Sequence, residues 1–336
     1  MRILVTGGAG YVGSVSVEAF VAAGHEVTVL DDLSTGHKSA VQEGATLEVG
    51  TYGDSRAVAH LLERRQIDAV LHCAAKSIVG ESMVNPALYF RENVGGGINL
   101  LEGMRLAGVK RIVLSSTAAT YGMPERTPIL ETDPVRPINA YGESKRCVEA
   151  AINWYGHGYG FRSVILRYFN VAGASRLHGE VHAPESHLIP VVLGAAEGSR
   201  EMTIYGDDYP TADGTCVRDY IHVEDLAAAH LLALVATDPE DQRSGPESGP
   251  CQPVICNLGN GNGFSNRQIV AAAEAVVGHA IPVKVGPRRA GDPPVLVASA
   301  ERAARELGWQ PQHGKLEEII GSAWEWRRSH PRGYND

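Results

Sequence analysis

Short apolar runs and longer mixed segments alternate along the first half of the chain. Residues 2–6, 26–30, 69–72, 111–115 and 163–168 are runs of four to six residues rich in valine, isoleucine and leucine. Runs that are apolar on both faces predict strands buried inside a parallel sheet. Between them, residues 12–23, 54–65, 86–107 and 141–155 carry helical spacing, and Gly24 stops the first helix. Strand and helix in turn up to residue 170 predict an α/β fold, a doubly wound parallel sheet with right-handed crossovers.

The rhythm loosens after residue 174. Residues 175–185 hold histidines, glutamates and a proline and read as a loop over a site; a helix is expected from His187 and another over 226–236. Residues 238–253 read as a polar surface loop, and Leu316, Ile319, Ile320, Ala323 and Trp324 share one helical face. We therefore expect a first domain over 1–174, to which 218–237 returns, and a smaller C-terminal α/β domain over 175–336.

Composition narrows the class. The chain has 336 residues, 44% hydrophobic and 21% charged, and a net charge of −9, which argues against a general nucleic-acid binder. No apolar run approaches a membrane span. Residues 1–6 are apolar, but glycines follow at once, so no signal peptide is expected. The five cysteines form no C-x-x-C pair, which predicts free thiols in a reducing cytoplasm.

Two stretches carry chemistry. Gly7, Gly10 and Gly13 lie between the first strand and its helix, spaced G-x-x-G-x-x-G. Such a turn brings bare backbone to a pyrophosphate, and the helix N-terminus offers it unpaired N–H groups. Asp31 ends the second strand, where a carboxylate accepts ribose hydroxyls and repels a 2′-phosphate, so NAD is expected rather than NADP. Tyr141 and Lys145 stand four apart on one helix face, downstream of Ser115-Ser116-Thr117 at a strand end. A phenol, an ammonium and a hydroxyl converging on a nicotinamide suit hydride chemistry on an alcohol. A free tyrosine titrates near 10, so acting as a base at neutral pH needs a shift of about 3 units, or about 4 kcal/mol.

Further segments point to a family. They are His72-Cys73-Ala74-Ala75, Val79-Gly80-Glu81-Ser82, Asn93-Val94, Ser115 to Gly122, Leu166-Arg167-Tyr168-Phe169-Asn170, Ile204 to Thr211, Asp213-Gly214-Thr215, Val217 to Ala227, Asn257-Leu258-Gly259, Pro287 to Asp292, and His330 to Tyr334. With these the chain resembles the extended short-chain dehydrogenase/reductase family, in its sugar-nucleotide branch. The resemblance implies a Rossmann-type sheet, bound NAD and a homodimer through helices near 86–107 and 141–155. It implies inversion at C4 of UDP-galactose and UDP-glucose through a transient 4-keto sugar, with Tyr141 as base, Lys145 on the nicotinamide ribose and Thr117 on the reacting hydroxyl. Around the cofactor it places Gly7, Gly10, Tyr11, Val12, Gly13, Asp31, Asp32, Ser34, Thr35, Gly36, Thr51, Tyr52, Ala74, Ala75, Asn93, Ser115, Tyr141, Lys145 and Tyr168. Against the sugar nucleotide it places Thr117, Tyr141, Asn170, His187, Leu188, Thr203, Ile204, Tyr205, Arg218, Arg289, Asp292 and Leu296. Arginines suit a diphosphate because a guanidinium binds it through two parallel hydrogen bonds.

Some positions depart from the family pattern. The adenine-side aspartate is missing, since Gly50 is followed by Thr51-Tyr52-Gly53-Asp54; Ser14 to Ser16 stand where many relatives carry a histidine, and Lys76 neighbours the position of a lysine in some relatives. Leu296 falls where a large tyrosine in some relatives excludes N-acetylated sugars, which leaves room here. His178, Glu180, His182, Glu185 and His187 have metal-ligand chemistry, but Gly179 and Pro184 make a loop and no metal is expected. Other UDP sugars as substrates, such as UDP-xylose, UDP-arabinose or a UDP-uronate, and a non-catalytic sugar-nucleotide or NAD sensor are open alternatives.

Overall fold

The computed structural model describes residues 1–240, 252–289 and 292–336. The expected polar loop at 238–253 falls mostly outside the described residues. The first half consists of strands β1 (Arg2–Thr6), β2 (Glu26–Asp31), β3 (Ala45–Val49), β4 (Ala69–His72), β5 (Arg111–Thr117) and β6 (Arg162–Tyr168). Helices α1 (Tyr11–Ala22), α2 (Ser55–Arg64), α3 (Val79–Val84), α4 (Pro86–Tyr89), α5 (Gly96–Leu106) and α6 (Ala140–Tyr159) connect them. The second half adds β7 (Asn170–Ala172), α7 (Leu188–Ala196), β8 (Met202–Tyr205), β9 (Val217–His222), α8 (Val223–Ala236) and β10 (Val254–Leu258). It closes with β11 (Gly263–Ser265), α9 (Asn266–Val277), β12 (Val283–Gly286), β13 (Val295–Leu296), α10 (Glu301–Leu307) and α11 (Leu316–Ser329).

Seven parallel strands form the central sheet in the order β10-β6-β5-β4-β1-β2-β3. Helices cover both faces, as in doubly wound Rossmann-type folds. On one face Val58, Leu61, Leu100, Met104, Val148 and Ile152 pack on Leu4, Val70, Ile112 and Leu114. On the other, Val17 and Phe20 of α1 and Leu226, Ala229, Ala233 and Leu234 of α8 pack on Val5, Val29, Val113 and Leu166.

Two features refine the expected organisation. The sheet also recruits β10 and the Ala303–Leu307–Trp309 stretch from the C-terminal third, whereas β9 pairs with β7, β11 and β13 in a separate small sheet. Within the expected returning segment 218–237, α8 and Ile221 pack into the core of the large sheet. The expected helix over 86–107 runs on through α4, a π-helical stretch at Phe90–Gly95 and α5, with helical backbone at both junctions. The second lobe has its own core, where Ile189, Val192 and Leu193 meet Ile204, Ile269, Ile319 and Ile320.

Candidate active site

The C-terminal ends of β1, β2, β4, β5 and β6 open on one side of the sheet, where open α/β sheets bind ligands. Gly7 follows β1 with φ +73°, and a Cβ there would lie 2.6 Å from the Ala74 amide nitrogen, so only glycine fits between β1 and the strand beside it. Gly10 caps α1 without any side-chain hydrogen bond, which leaves first-turn N–H groups of Tyr11 and Val12 for a ligand. The buried Asp31 carboxylate is aimed by the amides of Ala9 (3.0 Å) and Leu33 (2.9 Å), and burial raises its pKa. Free helix donors beside a carboxylate at a strand end fit a dinucleotide such as NAD.

Facing that turn, Asn139 caps α6 through the Gly142 amide (2.8 Å), which sets Tyr141, Ser144 and Lys145 on the buried side of the helix. The Tyr141 phenol shares a hydrogen bond with Thr117, and burial pushes its pKa up while Thr117 pulls it back. Lys145 is buried and donates from Nζ to the Ser115 carbonyl at 2.7 Å. Desolvation brings its ammonium down to about 8. Burial is the larger of the two influences, so in the free chain the Tyr141 phenol is shifted away from acting as a base near neutral pH.

A buried chain fixes Ser115. Its hydroxyl meets His230 Nε2 at 2.8 Å and Cys73 Sγ at 3.2 Å, and His230 Nδ1 meets Ser16 Oγ at 3.1 Å. Tyr168 also hydrogen-bonds Ser115. On the neighbouring strand His72 Nδ1 meets Thr6 Oγ1 at 2.7 Å. Burial holds both imidazoles neutral, each pushed down to about 3. Unfolded histidines titrate near 6.5, so the unfolded chain takes up protons that the folded chain refuses between those values. The stabilisation is full above 6.5 and is lost as pH falls toward 3, by up to about 1.4 kcal/mol per pH unit for each histidine. Asp219, buried and raised to about 6, works in the opposite direction, as do Asp31 and Glu224, but His178 and His222, each pushed down to about 4, add to the loss. The urea midpoint should therefore fall between pH 6.5 and 4.5; a flat or rising midpoint would contradict this.

The second lobe brings its charges to the same opening. Arg218 on β9 donates to the Asp292 carboxylate and, at 2.8 Å, to the Val217 carbonyl. Arg289 lies 4.0 Å over the Tyr205 ring. Leu296 on β13 is in register with Arg218 and packs with Ala118 and Phe169, next to Thr117. Asn170 on β7 hydrogen-bonds Tyr220, and His187 caps the start of α7 just before Leu188.

Several expected site residues make contacts within the chain. The Asn93 amide is bonded to the Lys76 backbone (2.8 and 3.0 Å) and to Ser144 (2.9 Å), and so clamps the loop after β4. The Tyr11 hydroxyl is spent on the Gly173 carbonyl at 2.6 Å. Tyr52 donates to the Glu92 carbonyl at 3.0 Å, and Asp54, three residues on from Thr51, caps α2. Thr51 accepts from Gly53, and the Ile204 side chain lies in the second-lobe core. Asp32 turns the loop through the Ser34 amide (2.9 Å), and Lys76 Nζ meets Ser34 Oγ at 3.3 Å; Thr35 and Gly36 follow, with Gly36 against Asp31. Ala75 follows Ala74 in the loop between β4 and α3, and Thr203 lies on β8. The acid-histidine segment is a loop, as expected, but it folds Glu180, His182, Glu185 and His187 together, while His178 stands apart.

Sequence reasoning missed His230 and the buried pair Arg167–Glu149. The Arg167 guanidinium reaches Glu149 through Nε at 3.0 Å and Nη2 at 2.5 Å, and its Nη1 reaches the Tyr121 hydroxyl at 3.0 Å. Ser116 Oγ donates to the same carboxylate at 2.5 Å.

A dinucleotide cradle facing a Thr–Tyr–Lys set defines a class of nicotinamide-dependent enzymes acting on alcohols. The chain matches the NAD dependent epimerase/dehydratase family over residues 3–244, and it belongs to that family. It is 53% identical to the UDP-glucose 4-epimerase of Streptomyces lividans, over all of this chain and 98% of that one. Its structure is similar to that of UDP-glucose 4-epimerase from Brucella ovis in complex with NAD, with a TM-score of 0.90, 42% identity and coverage of 97% and 98% of the two chains. It is also similar to the Bifidobacterium longum UDP-glucose 4-epimerase in complex with NAD+ and UDP, with a TM-score of 0.90, 32% identity and coverage of 99% and 100%.

Proposed function

We propose that this chain is an NAD-dependent UDP-sugar 4-epimerase that interconverts UDP-galactose and UDP-glucose. The observation that carries the reading is the buried Tyr141–Thr117 hydrogen bond at the strand ends, beside Lys145. Bound NAD supplies a hydride acceptor, and afterwards a donor, for C4. Tyr141 takes the proton of the sugar 4-hydroxyl and returns it, and Thr117 holds that hydroxyl against the phenol. Lys145, held by Ser115 in the free chain, supports the phenolate and the nicotinamide ribose. The first turn of α1 and Asp31 hold the dinucleotide. Arg218 and Arg289 grip the diphosphate of the substrate once Arg218 leaves Asp292. That grip anchors the nucleotide while the keto sugar turns over.

Purified protein mixed with UDP-galactose and no added NAD should produce the anomeric proton signals of UDP-glucose by NMR. Absence of product, with and without NAD, would overturn the reading.

Substrate breadth follows from Leu296, which is smaller than a tyrosine at the edge of the sugar pocket. UDP-GlcNAc should be turned over as well, and Leu296→Tyr should suppress that turnover at least about tenfold while sparing UDP-galactose. No turnover of UDP-GlcNAc by the unaltered chain would refute this.

A homodimer fits the exposed apolar side chains on α3, α5 and α6, among them Met83, Val84, Ile98, Leu106 and Trp154. Light scattering should give twice the chain mass, and Ile98→Glu/Trp154→Glu should give the chain mass alone. No helix of the described residues is long and apolar enough to cross a membrane. The free thiols of Cys73, Cys147, Cys216 and Cys256 suit a reducing cytoplasm.

A further inference from the structure

Apart from the contact with the sugar nucleotide expected of His187, the loop between β7 and α7 is not explained by the epimerase chemistry. Glu180, His182, Glu185 and His187 each bring one ligand atom to a common point, all within 4.8 Å of one another. His182 Nδ1 lies 3.2 Å from Glu180 Oε1 and 3.6 Å from Glu185 Oε2, and His187 Nδ1 lies 3.7 Å from Glu185 Oε1. His187 Nδ1 also approaches Glu180 Oε1 directly.

Three of these separations, 3.2, 3.6 and 3.7 Å, are near those of donors around one ion, whereas the direct His187–Glu180 hydrogen bond would have to open for an ion to enter. A tetrahedral ion with bonds of about 2.0–2.1 Å sets its ligand atoms about 3.3–3.5 Å apart. Charge-assisted N–H···O hydrogen bonds are shorter, near 2.7–2.9 Å. His182 Nδ1 is shielded from solvent and makes no hydrogen bond of sound geometry, so a buried nitrogen lone pair or proton is left facing two carboxylates. The Glu180 side chain is only 6% exposed, and Glu185 is oriented by the amides of Ser186 and His187, both at 2.7 Å. Such backbone support is the usual means of aiming a ligating carboxylate.

We propose that Glu180, His182, Glu185 and His187 bind one divalent transition ion, zinc by preference, in a closed structural site. Two imidazoles select zinc-like ions over magnesium or calcium, and four protein ligands leave no coordination position for substrate. Entry is open: the His187 side chain is 57% exposed, and a cleft of about 200 Å³ lined in part by Glu180, His182, Glu185 and Trp326 adjoins the cluster. Its role is to tie the loop to the start of α7, the point where His187 and Leu188 meet the substrate lobe. The proposal rests on the loop's geometry and not on the epimerase reading.

Cobalt(II) reports the site without any activity assay. Chelator-treated, dialysed full-length protein titrated with Co²⁺ should develop the intense visible absorption of a tetrahedral ion, saturating at one ion per chain and displaced by Zn²⁺. His182→Ala and Glu185→Gln should each weaken Co²⁺ binding at least about tenfold, with circular dichroism unchanged. His313→Ala should leave the titration intact, since it alters the other acid-histidine group, His222, Glu224 and His313. A titration without saturable tetrahedral absorption would overturn the proposal. So would absorption that persists unchanged in a folded His182→Ala/Glu185→Gln double variant.

Discussion

Tyr141→Phe should lower kcat by about 10²–10⁴-fold, the range expected when a positioned acid–base group is removed. The substitution deletes one oxygen. The ring keeps its edge contact with Tyr89, 6.4 Å between centroids, and the Lys145–Ser115 hydrogen bond is untouched. The variant should therefore fold and retain NAD as the parent does, which separates lost chemistry from lost cofactor. Turnover within tenfold of the parent would show that another group moves the proton. Thr117 is the only other hydroxyl bonded to the phenol among the described residues, and its own ordinary pKa is too high for it to replace Tyr141 as base.

The second large effect is on stability. Glu149→Leu should cost about 3–5 kcal/mol, because it strands the Arg167 guanidinium in the core. Both partners are nearly inaccessible, at 5% and 6% side-chain exposure, and Ser116 and Tyr121 are tied into the same network. Tyr121 in turn donates to Asn257 Oδ1 at 2.7 Å, so the pair connects α6, β5, β6 and β10. The double variant Glu149→Leu/Arg167→Met should recover much of the loss, because a buried ion pair replaced as a unit by apolar groups is often near neutral. Chemical denaturation of the two variants and the parent measures both. A single variant losing less than about 1 kcal/mol would mean that Arg167 finds water or another partner.

The elements legible in the sequence were those with uniform surroundings. β1, β2, β4, β5 and β6 are buried on both faces, and each shows as a run dominated by apolar residues. β3 was not seen because it is the edge strand: Thr46 and Val49 are exposed and Glu48 turns outward to Arg64 and Arg65, so no apolar run marks it. For the same reason the Ser115–Thr117 strand, counted fourth from the sequence, is the fifth. Gly7, Asp31, Tyr141 and Lys145 were readable because short-range spacing places them in one turn, at one strand end or on one helix face. The contacts that fix them were not. His230 reaches Ser115 across 115 residues and Asn257 reaches Ile129 across 128, and no periodicity records such pairings. The loop over 180–187 shows the converse: its residue types were visible, but a segment without helical period gives no hint that four donors converge.

The most direct test of the account is to supply UDP-galactose deuterated at C4 and follow the label into UDP-glucose. Removal of hydride from C4 and its return within one closed site predicts product that keeps the deuterium at C4, in ordinary water and without added NAD. Product carrying solvent hydrogen at C4 would contradict it, since inversion would then proceed by loss of a proton and not of hydride.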